Sequence, residues 1–347
     1  MRNTLVTASL LSLLLATSAA CGQAKSSSEP ASASAMAKAA NVGFQELKIA
    51  NGEDPPLTVG VWYPTDAAAR PTRLQPFMQT VAPGGAVAGS GLPLVVFSHG
   101  TGGWYGGHYD TALALARAGF VVAAVSHAGD TYDDHSRAAM IWARSAQMHR
   151  LIDYMLGEWP DHARIDPDRV GAFGFSAGGF TTLVVAGGVP SLERTQAQCQ
   201  THPAYFECGV AKSLPNRDAV IAGLPDSVWV HDARVKAAVV AAPALGYTFG
   251  KDGLRNVRIP IQLWRDEDDH VLRNPDYAEA VRIALPDAPE YHVVPNADHY
   301  DFLAPCSPLM AAHAPPEICA ERPGFDRTAF HDAFDAQVVQ FFERTLG

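Results

Sequence analysis

The sequence predicts an α/β fold in which a mostly parallel, doubly wound sheet is covered by helices on both faces. Short, continuous apolar runs such as LPLVVFSHG (92–100) and FVVAAVSH (120–127) are typical of strands buried on both faces. Segments with helical periodicity separate these runs, which indicates right-handed crossovers between parallel strands. A serine between glycines follows a third apolar run, in VGAFGFSAGGF (170–180), and this stretch marks the candidate site.

The other elements follow from local patterns. The segments 44–50 and 57–63 are joined by NGED, a hairpin-type turn, so the sheet is expected to begin with an antiparallel hairpin. Residues 71–91 are rich in Pro, Gly and Ala, which predicts a connection. Further strands are predicted at 170–175, 235–243, 259–264 and 291–295, and helices at 109–119, 133–156, 274–284 and 330–344.

Residues 188–233 fit no strand–helix unit of this kind. They contain two cysteines, several prolines and no clear period. We interpret them as a cap-like excursion over the carboxyl edge of the sheet, where the walls of ligand pockets usually lie. Residues 42–347 as a whole are predicted to form the folded domain.

The first 20 residues are typical of an export signal. A short positive start precedes an apolar run at 5–16 that is too short to span a bilayer.

Cys21 directly follows small residues, as in a bacterial lipobox, whose cysteine becomes lipidated. Ser18 stands where lipoboxes usually carry Leu, so simple cleavage next to Ala20 stays open. Residues 21–41 have the Ala/Ser/Pro composition of a disordered tether. The expected location is the periplasm or cell envelope, with membrane attachment only through a lipid on Cys21.

The cysteine count agrees with an oxidising compartment. The chain has 5 cysteines, and lipidation of Cys21 leaves an even number. The pairs Cys199–Cys208 and Cys306–Cys319 close the shortest loops and lie in irregular segments, which favours two local disulfides over buried free thiols.

Composition excludes some classes of function. Of 347 residues, 48% are hydrophobic and 18% charged, as in a folded enzyme rather than a disordered chain. With 26 Lys+Arg against 36 Asp+Glu, the net charge is −10, and no basic stripe is present to neutralise phosphates. A nucleic-acid partner is therefore not expected.

Gly174-Phe175-Ser176-Ala177-Gly178 is a GxSxG sequence between a predicted strand and a predicted helix. This context predicts a nucleophile elbow, a strained turn that lifts the serine hydroxyl out of the sheet and needs small residues on both sides. The alternative is a glycine-rich strand-to-helix turn without chemistry.

A serine hydroxyl needs a base, and the base needs an orienting acid. His299 is the candidate base, because among the 13 histidines it lies on the loop after the last predicted strand. His292 lies within that strand, His270 precedes the last pair of predicted helices, and His313 and His331 lie in the tail. The loop after the strand at 259–264 offers four acids in a row, Asp266, Glu267, Asp268 and Asp269. A metal site in this acidic cluster is a minor alternative to a solvated loop.

An oxyanion hole requires a second amide from the loop after the first parallel strand. Glycines in FSHGTGGWYGG (97–107) allow the backbone to approach the substrate carbonyl oxygen closely. We expect the amides of Thr101 and Ala177 to form the oxyanion hole. Trp104 and Tyr105 follow directly, as pocket walls or as ordinary packing aromatics.

Together, VVFSHGTGG, VVAAVSHAGDTY, GAFGFSAGGF and NADHYDFLAPC resemble the bacterial α/β-hydrolases that include predicted dienelactone hydrolases and relatives of plasma-type platelet-activating-factor acetylhydrolases. The resemblance covers roughly residues 90–346. It implies an α/β-hydrolase fold, Ser176 as nucleophile and His299 as base, with no metal or organic cofactor. Placing Val271 on the valine common in such hydrolases selects Asp268 as the acid, with Asp266 and Asp269 as the main alternatives.

The resemblance implies a serine esterase acting on a small-molecule or lipid ester. True dienelactone hydrolases use a cysteine nucleophile, whereas this chain has serine, so dienelactone specificity is not expected. An amide or peptide hydrolase of the same fold and a catalytically dead envelope binding protein are the alternatives.

Overall fold

A computed structural model describes residues 39–320 and 322–347. The predicted export signal, the lipidation site at Cys21 and nearly all of the tether lie outside the described residues. Within those residues, no helix combines the length and apolar character needed to cross a membrane.

The core of the molecule is a ten-stranded mixed sheet in the order β10-β9-β8-β7-β5-β6-β2-β1-β4-β3. Strands β5 to β10 pair in parallel, and β2 joins them antiparallel to β6. Strands β1 and β2 form the predicted antiparallel hairpin. The strands are β1 (Asn41–Asn51), β2 (Asp54–Thr65), β3 (Arg70–Leu74), β4 (Phe77–Pro83), β5 (Leu92–Ser98), β6 (Val121–Ser126), β7 (Ile165–Phe175), β8 (Val235–Ala241), β9 (Ile261–Asp266) and β10 (Glu290–Val294).

Helices cover both faces of the sheet, as the sequence predicts. On one face, α2, α3 and α8 pack against the sheet in one apolar cluster, and on the other α1 and α10 form a second cluster. The helices among the described residues are α1 (Tyr109–Arg117), α2 (Ala143–Gly157), α3 (Ala177–Val185), α4 (Arg194–Thr201), α5 (Phe206–Ala211), α6 (Arg217–Ala222), α7 (Gly250–Leu254), α8 (Ala278–Ala284), α9 (Pro308–His313) and α10 (Arg327–Leu346).

Two predicted segments differ from the structure. The connection predicted at 71–91 contains most of β3 and all of β4, because Phe77, Gln79 and Val81 alternate with exposed residues and point into the core. The helix predicted at 133–156 begins only at Ala143, after a series of turns.

The excursion at 188–233 contains three short helices, α4 to α6. The disulfide Cys199–Cys208 joins α4 to α5, and Cys306–Cys319 closes the loop around α9. Both predicted disulfides are therefore present. Disulfides are typical of proteins that fold outside the reducing cytosol.

The turn between β7 and α3 is tightly packed against the neighbouring strand. A Cβ placed on Gly178 would lie 1.8 Å from the backbone oxygen of Ser98, and one on Gly174 would lie 2.1 Å from the oxygen of Gly178. Only glycine allows α3 to approach the end of β5 this closely.

We predict that Gly178→Ala lowers the free energy of unfolding by about 2 kcal/mol or more, because backbone atoms must move to accept the methyl group. Gly209→Ala is the matched control, since its new Cβ would meet nothing within 4 Å and alanine is the better helix former. Urea titration measures both effects. Equal stability of the two variants would contradict the packing argument.

Candidate active site

Ser176 lies at the turn between β7 and α3, with φ 56° and ψ −118°. This positive φ is strained for a residue with a side chain. The turn is anchored to the end of β8, because the Ser176 N–H donates to the Ala241 oxygen at 2.9 Å and the Ser176 oxygen accepts from the Ala244 N–H at 2.9 Å. The backbone thus has the elbow geometry that the GxSxG sequence predicts.

His299 follows β10 and begins a short 3₁₀ helix, His299–Phe302. Asp298 caps this helix: its carboxylate accepts from the His299 N–H at 2.8 Å, while its own N–H donates to Asp301 at 2.8 Å. The imidazole is 3% exposed, and its Nε2 lies 3.0 Å from the Ser176 hydroxyl oxygen. The structure therefore brings together the predicted serine and histidine.

The carboxylate beside His299 is that of Asp269, not Asp268. Asp269 Oδ2 lies 2.9 Å from His299 Nδ1, and Oδ1 accepts from the N–H groups of Val271 (2.9 Å) and Leu272 (2.5 Å). The side chain is 5% exposed. These two hydrogen bonds from backbone N–H groups hold the carboxylate facing inward and stabilise its negative charge.

Asp268 is placed elsewhere. Its side chain is 45% exposed and pairs with Arg322 at 3.0 Å, so the expectation that it orients His299 is corrected. The choice of Asp268 rests on its distance from Val271 along the sequence. That distance does not show which of several adjacent carboxylates points inward. The remaining acid of the loop, Glu267, accepts from the Asn296 N–H at 3.4 Å on an exposed surface.

Asp266, the last residue of β9, lies close to Asp269 and His299. Burial, and next the charge of Asp269, raise the pKa of Asp266 well above its usual value, because both disfavour the charged form of this carboxyl. Asp266, Asp269 and His299 have potential metal-ligand atoms within 4.8 Å of one another. Both imidazole nitrogens already face Asp269 and Ser176, which fits proton transfer rather than metal ligation.

The predicted oxyanion amides belong to residues near the serine, since Ala177 follows it in the chain and Thr101 lines the same two cavities as Ser176. Ala177 is the first residue of α3, and the first amides of a helix have no partner within it. The loop that carries Thr101 is held by a buried ion pair, because Arg144 Nη2 lies 2.6 Å from Asp130 Oδ2 with both side chains at most 5% exposed.

This ion pair orients the peptide unit between Gly100 and Thr101. Arg144 donates to the carbonyl oxygens of His99 (2.6 Å) and Gly100 (3.3 Å), and Asp130 accepts from the Gly102 N–H at 2.8 Å. Because a trans peptide unit is planar, its C=O and N–H point in opposite directions. The Thr101 N–H therefore points away from Arg144, and Thr101 lines both cavities that contain Ser176.

His99 completes the support of this loop. Its Nδ1–H donates to the Gly100 oxygen at 2.6 Å, and its Nε2 accepts from the His127 N–H at 2.9 Å. Burial and then the charge of Arg144 lower the pKa of His99 to about 3, so the ring is neutral and keeps this tautomer.

Two cavities meet at Ser176 and Thr101. The larger, about 500 Å³, is lined by His299, Tyr300 and aromatic residues that include Phe77 and Trp104. The smaller, about 70 Å³, lies on the Ala177 side under α5 and α6. We call them the histidine-side cavity and the elbow-side cavity.

Of the two aromatics predicted as pocket walls, Trp104 lines the histidine-side cavity. Tyr105 packs into the core instead: it is 5% exposed, its hydroxyl donates to the Glu46 carboxylate, and its ring lies 6.2 Å from that of Trp62. The expectation that Tyr105 forms a pocket wall is therefore not met.

Solved structures share this architecture. The chain resembles a ferulic acid esterase from Streptomyces cinnamoneus at TM-score 0.60 and 19% identity, covering 90% of this chain and 92% of the other. It also resembles a dienelactone hydrolase from Anabaena variabilis ATCC 29413 at TM-score 0.50 and 16% identity, covering 88% and 99%. The chain has an α/β-hydrolase fold. The predicted fold class is thereby confirmed.

Sequence similarity is more local. Residues 82–151 of the chain match the family model for platelet-activating factor acetylhydrolase, isoform II. This segment spans β5, the Thr101 loop, β6 and most of α2, including Asp130 and Arg144. No curated protein sequence matches the chain significantly.

Sequence reasoning did not identify Arg144 and Asp130 in this hydrolase fold. A signal was present, because Arg144 lies on the same face of α2 as the buried residues Met148, Leu151 and Met155. An arginine on an apolar stripe must find a buried partner or a buried carbonyl. Asp130, four residues after the end of β6, carried no comparable signal.

We predict that Asp269→Asn slows covalent labelling of Ser176 by a fluorophosphonate on the order of 10³–10⁴-fold, because the imidazole loses its orienting charge. Asp268→Asn, one residue earlier in the chain, removes the same charge from the exposed surface and changes the rate by less than about twofold. Labelling is followed by intact-mass spectrometry. The reverse order of effects would restore Asp268 as the acid.

Proposed function

We propose that this chain is a serine hydrolase that cleaves carboxylic esters through an acyl-enzyme. The observation that carries the proposal is the continuous contact from Ser176 Oγ to His299 Nε2 at 3.0 Å and from His299 Nδ1 to Asp269 at 2.9 Å. This contact lies at the junction of two cavities. A base within hydrogen-bond reach of a hydroxyl, itself oriented by a carboxylate, is the arrangement that activates serine.

The chemistry follows from these positions. His299 takes the Ser176 proton as Oγ attacks the ester carbonyl, and Asp269 stabilises the imidazolium. The amides of Thr101 and Ala177 stabilise the oxyanion, and each such donor contributes on the order of 10²–10³-fold in kcat. His299 returns the proton to the leaving alcohol, and a water activated by the same imidazole then hydrolyses the acyl-enzyme.

The two cavities indicate where the alcohol and acyl parts of an ester bind. The leaving alcohol must lie beside His299, which protonates it, so the histidine-side cavity accepts the alcohol. The acyl group then extends past Ala177 into the elbow-side cavity. The alcohol group is therefore expected to be the larger part of the substrate.

Cleavage of esters is favoured over the alternatives by several observations. The local family match and the two structural neighbours carry the names of an acetylhydrolase, an esterase and a lactone hydrolase. A dead binding protein would not need the oriented histidine or the buried Asp130–Arg144 pair beside the serine.

Hydrolysis of p-nitrophenyl esters and acyl anilides by the wild-type chain and Ser176→Ala tests the proposal. We expect ester turnover that Ser176→Ala reduces at least about 10⁴-fold without loss of the circular dichroism spectrum. Faster cleavage of anilides would favour the amide hydrolase. No turnover together with no fluorophosphonate labelling would favour the binding protein.

We predict that Arg144→Met lowers kcat about 100-fold with little change in KM, because the Thr101 amide loses its orientation for the transition state. Affinity for an alkyl boronic acid, which mimics the tetrahedral intermediate, falls in parallel. Arg234→Met is the matched control, since Arg234 pairs with the buried Asp232 in a separate ion-pair cluster. An increase in KM alone would show that Arg144 does not position the oxyanion donor.

We further propose that the chain is exported and held at the membrane by a lipid on Cys21. The sequence pattern at 1–21 and the two disulfides support this location. Mass spectrometry of the mature amino terminus distinguishes a lipidated Cys21 from simple cleavage near Ala20.

A further inference from the structure

The elbow-side cavity has apolar walls, but it also contains opposite charges. Trp142, Leu245 and Leu272 form part of its apolar lining, and Glu207 and Arg217 enter it from the excursion. The mechanism above uses neither of the charged residues. In a pocket for a simple alkyl chain, both would be costly.

Glu207 is fixed in position, but only one of its two carboxylate oxygens has hydrogen-bond partners. Its Oε1 accepts from the hydroxyls of Tyr277 (2.7 Å) and Tyr247 (3.0 Å). Its Oε2 is buried and has no hydrogen-bond partner among the described residues. The next residue, Cys208, is bonded to Cys199, so the backbone that carries the carboxylate is held as well.

Arg217 has an unpaired hydrogen-bond donor in the same cavity lining. Its Nη2 is buried without a partner in the described chain, and its nearest acid is Asp218, 3.8 Å from Nη1. No ion pair within 4.0 Å joins it to Glu207 among these residues. A buried donor or acceptor that lacks a partner is destabilising, and such atoms call for an explanation.

We propose that the elbow-side cavity selects acyl groups that carry a neutral hydroxyl or carboxamide, which donates to Glu207 Oε2 and accepts from Arg217 Nη2. This inference rests on the proposed function and specifies the substrate class of that site. A neutral group fits because the two charges cancel, whereas a carboxylate would face Glu207 and an ammonium group would face Arg217.

The size of the cavity limits the acyl group. Since one water needs roughly 10–15 Å³ of such space, about 70 Å³ holds only a few non-hydrogen atoms beyond the serine. The substrate class is therefore a short acyl chain with a polar end, esterified to a larger alcohol.

The experiment compares benzyl esters of short alkanoic acids with their ω-hydroxy counterparts of equal length, and with the corresponding amide-ended and carboxylate-ended esters. Hydrolysis is followed by alkali titration. We expect the wild-type chain to prefer the hydroxy or amide ester in kcat/KM by at least about tenfold at the best length, because an alkyl end leaves two buried groups unpaired. The carboxylate-ended ester is expected to be poorer than the hydroxy ester.

Glu207→Gln keeps an oxygen for the two tyrosines, and Arg217→Met keeps much of the side-chain volume. Each is expected to reduce the preference at least about threefold, and the double variant to bring the ratio close to one. Lys212→Met removes an exposed cation from the same excursion, outside this cavity, and is expected to leave the ratio unchanged. Because both esters are measured on one preparation, partial unfolding scales both rates and does not alter the ratio.

A wild-type ratio near one would overturn the inference, since it would mean that bound water satisfies both groups, and would leave the ester hydrolase intact. A preference that survives in the double variant would also overturn it. Absence of turnover on every ester, with no fluorophosphonate labelling of Ser176, would overturn the proposed function and this inference together.

Discussion

The contact between α3 and the end of β5 is the constraint on which the candidate site depends. Gly178 lies so close to the Ser98 oxygen that a methyl group cannot be inserted, and in the same tight turn Ser176 adopts a positive φ. That turn presents the hydroxyl above the sheet and the first amides of α3 beside it. The same close approach brings the loop after β5, with Thr101, alongside the serine. One packing requirement thus helps to position the candidate nucleophile and both predicted oxyanion donors.

Charge is used to hold this edge of the sheet in place. A buried ion pair such as Arg144–Asp130 often gives little net stability, because desolvation offsets the attraction. Its contacts with two carbonyls and one amide of the same loop indicate a different role, the orientation of one peptide unit. Asp269 is held in a comparable way by two amides of its own loop.

The sequence allowed the parallel strands, the elbow and His299 to be predicted, because each depends on a local pattern and on its position relative to a strand. The acid could not be assigned reliably, since four adjacent acids share one loop and only the fold shows that Asp269 points inward. Strands β3 and β4 were missed because prolines and glycines near them obscured a short alternation of buried residues. The helices of the excursion are held by tertiary contacts and a disulfide rather than by periodicity, so their pattern is weak.

The two disulfides brace segments that line the two cavities, whereas the serine, histidine and aspartate are held by hydrogen bonds and packing. Cys199–Cys208 clamps the backbone beside Glu207, and Cys306–Cys319 closes the segment that carries Met310 and His313 into the other cavity. Reduction of both disulfides would remove no contact among Ser176, His299 and Asp269, but it would remove the covalent bracing of the cavity walls. Under the proposed function, oxidation of these cysteines thus acts on which molecules are accepted, more than on whether a bond can be broken.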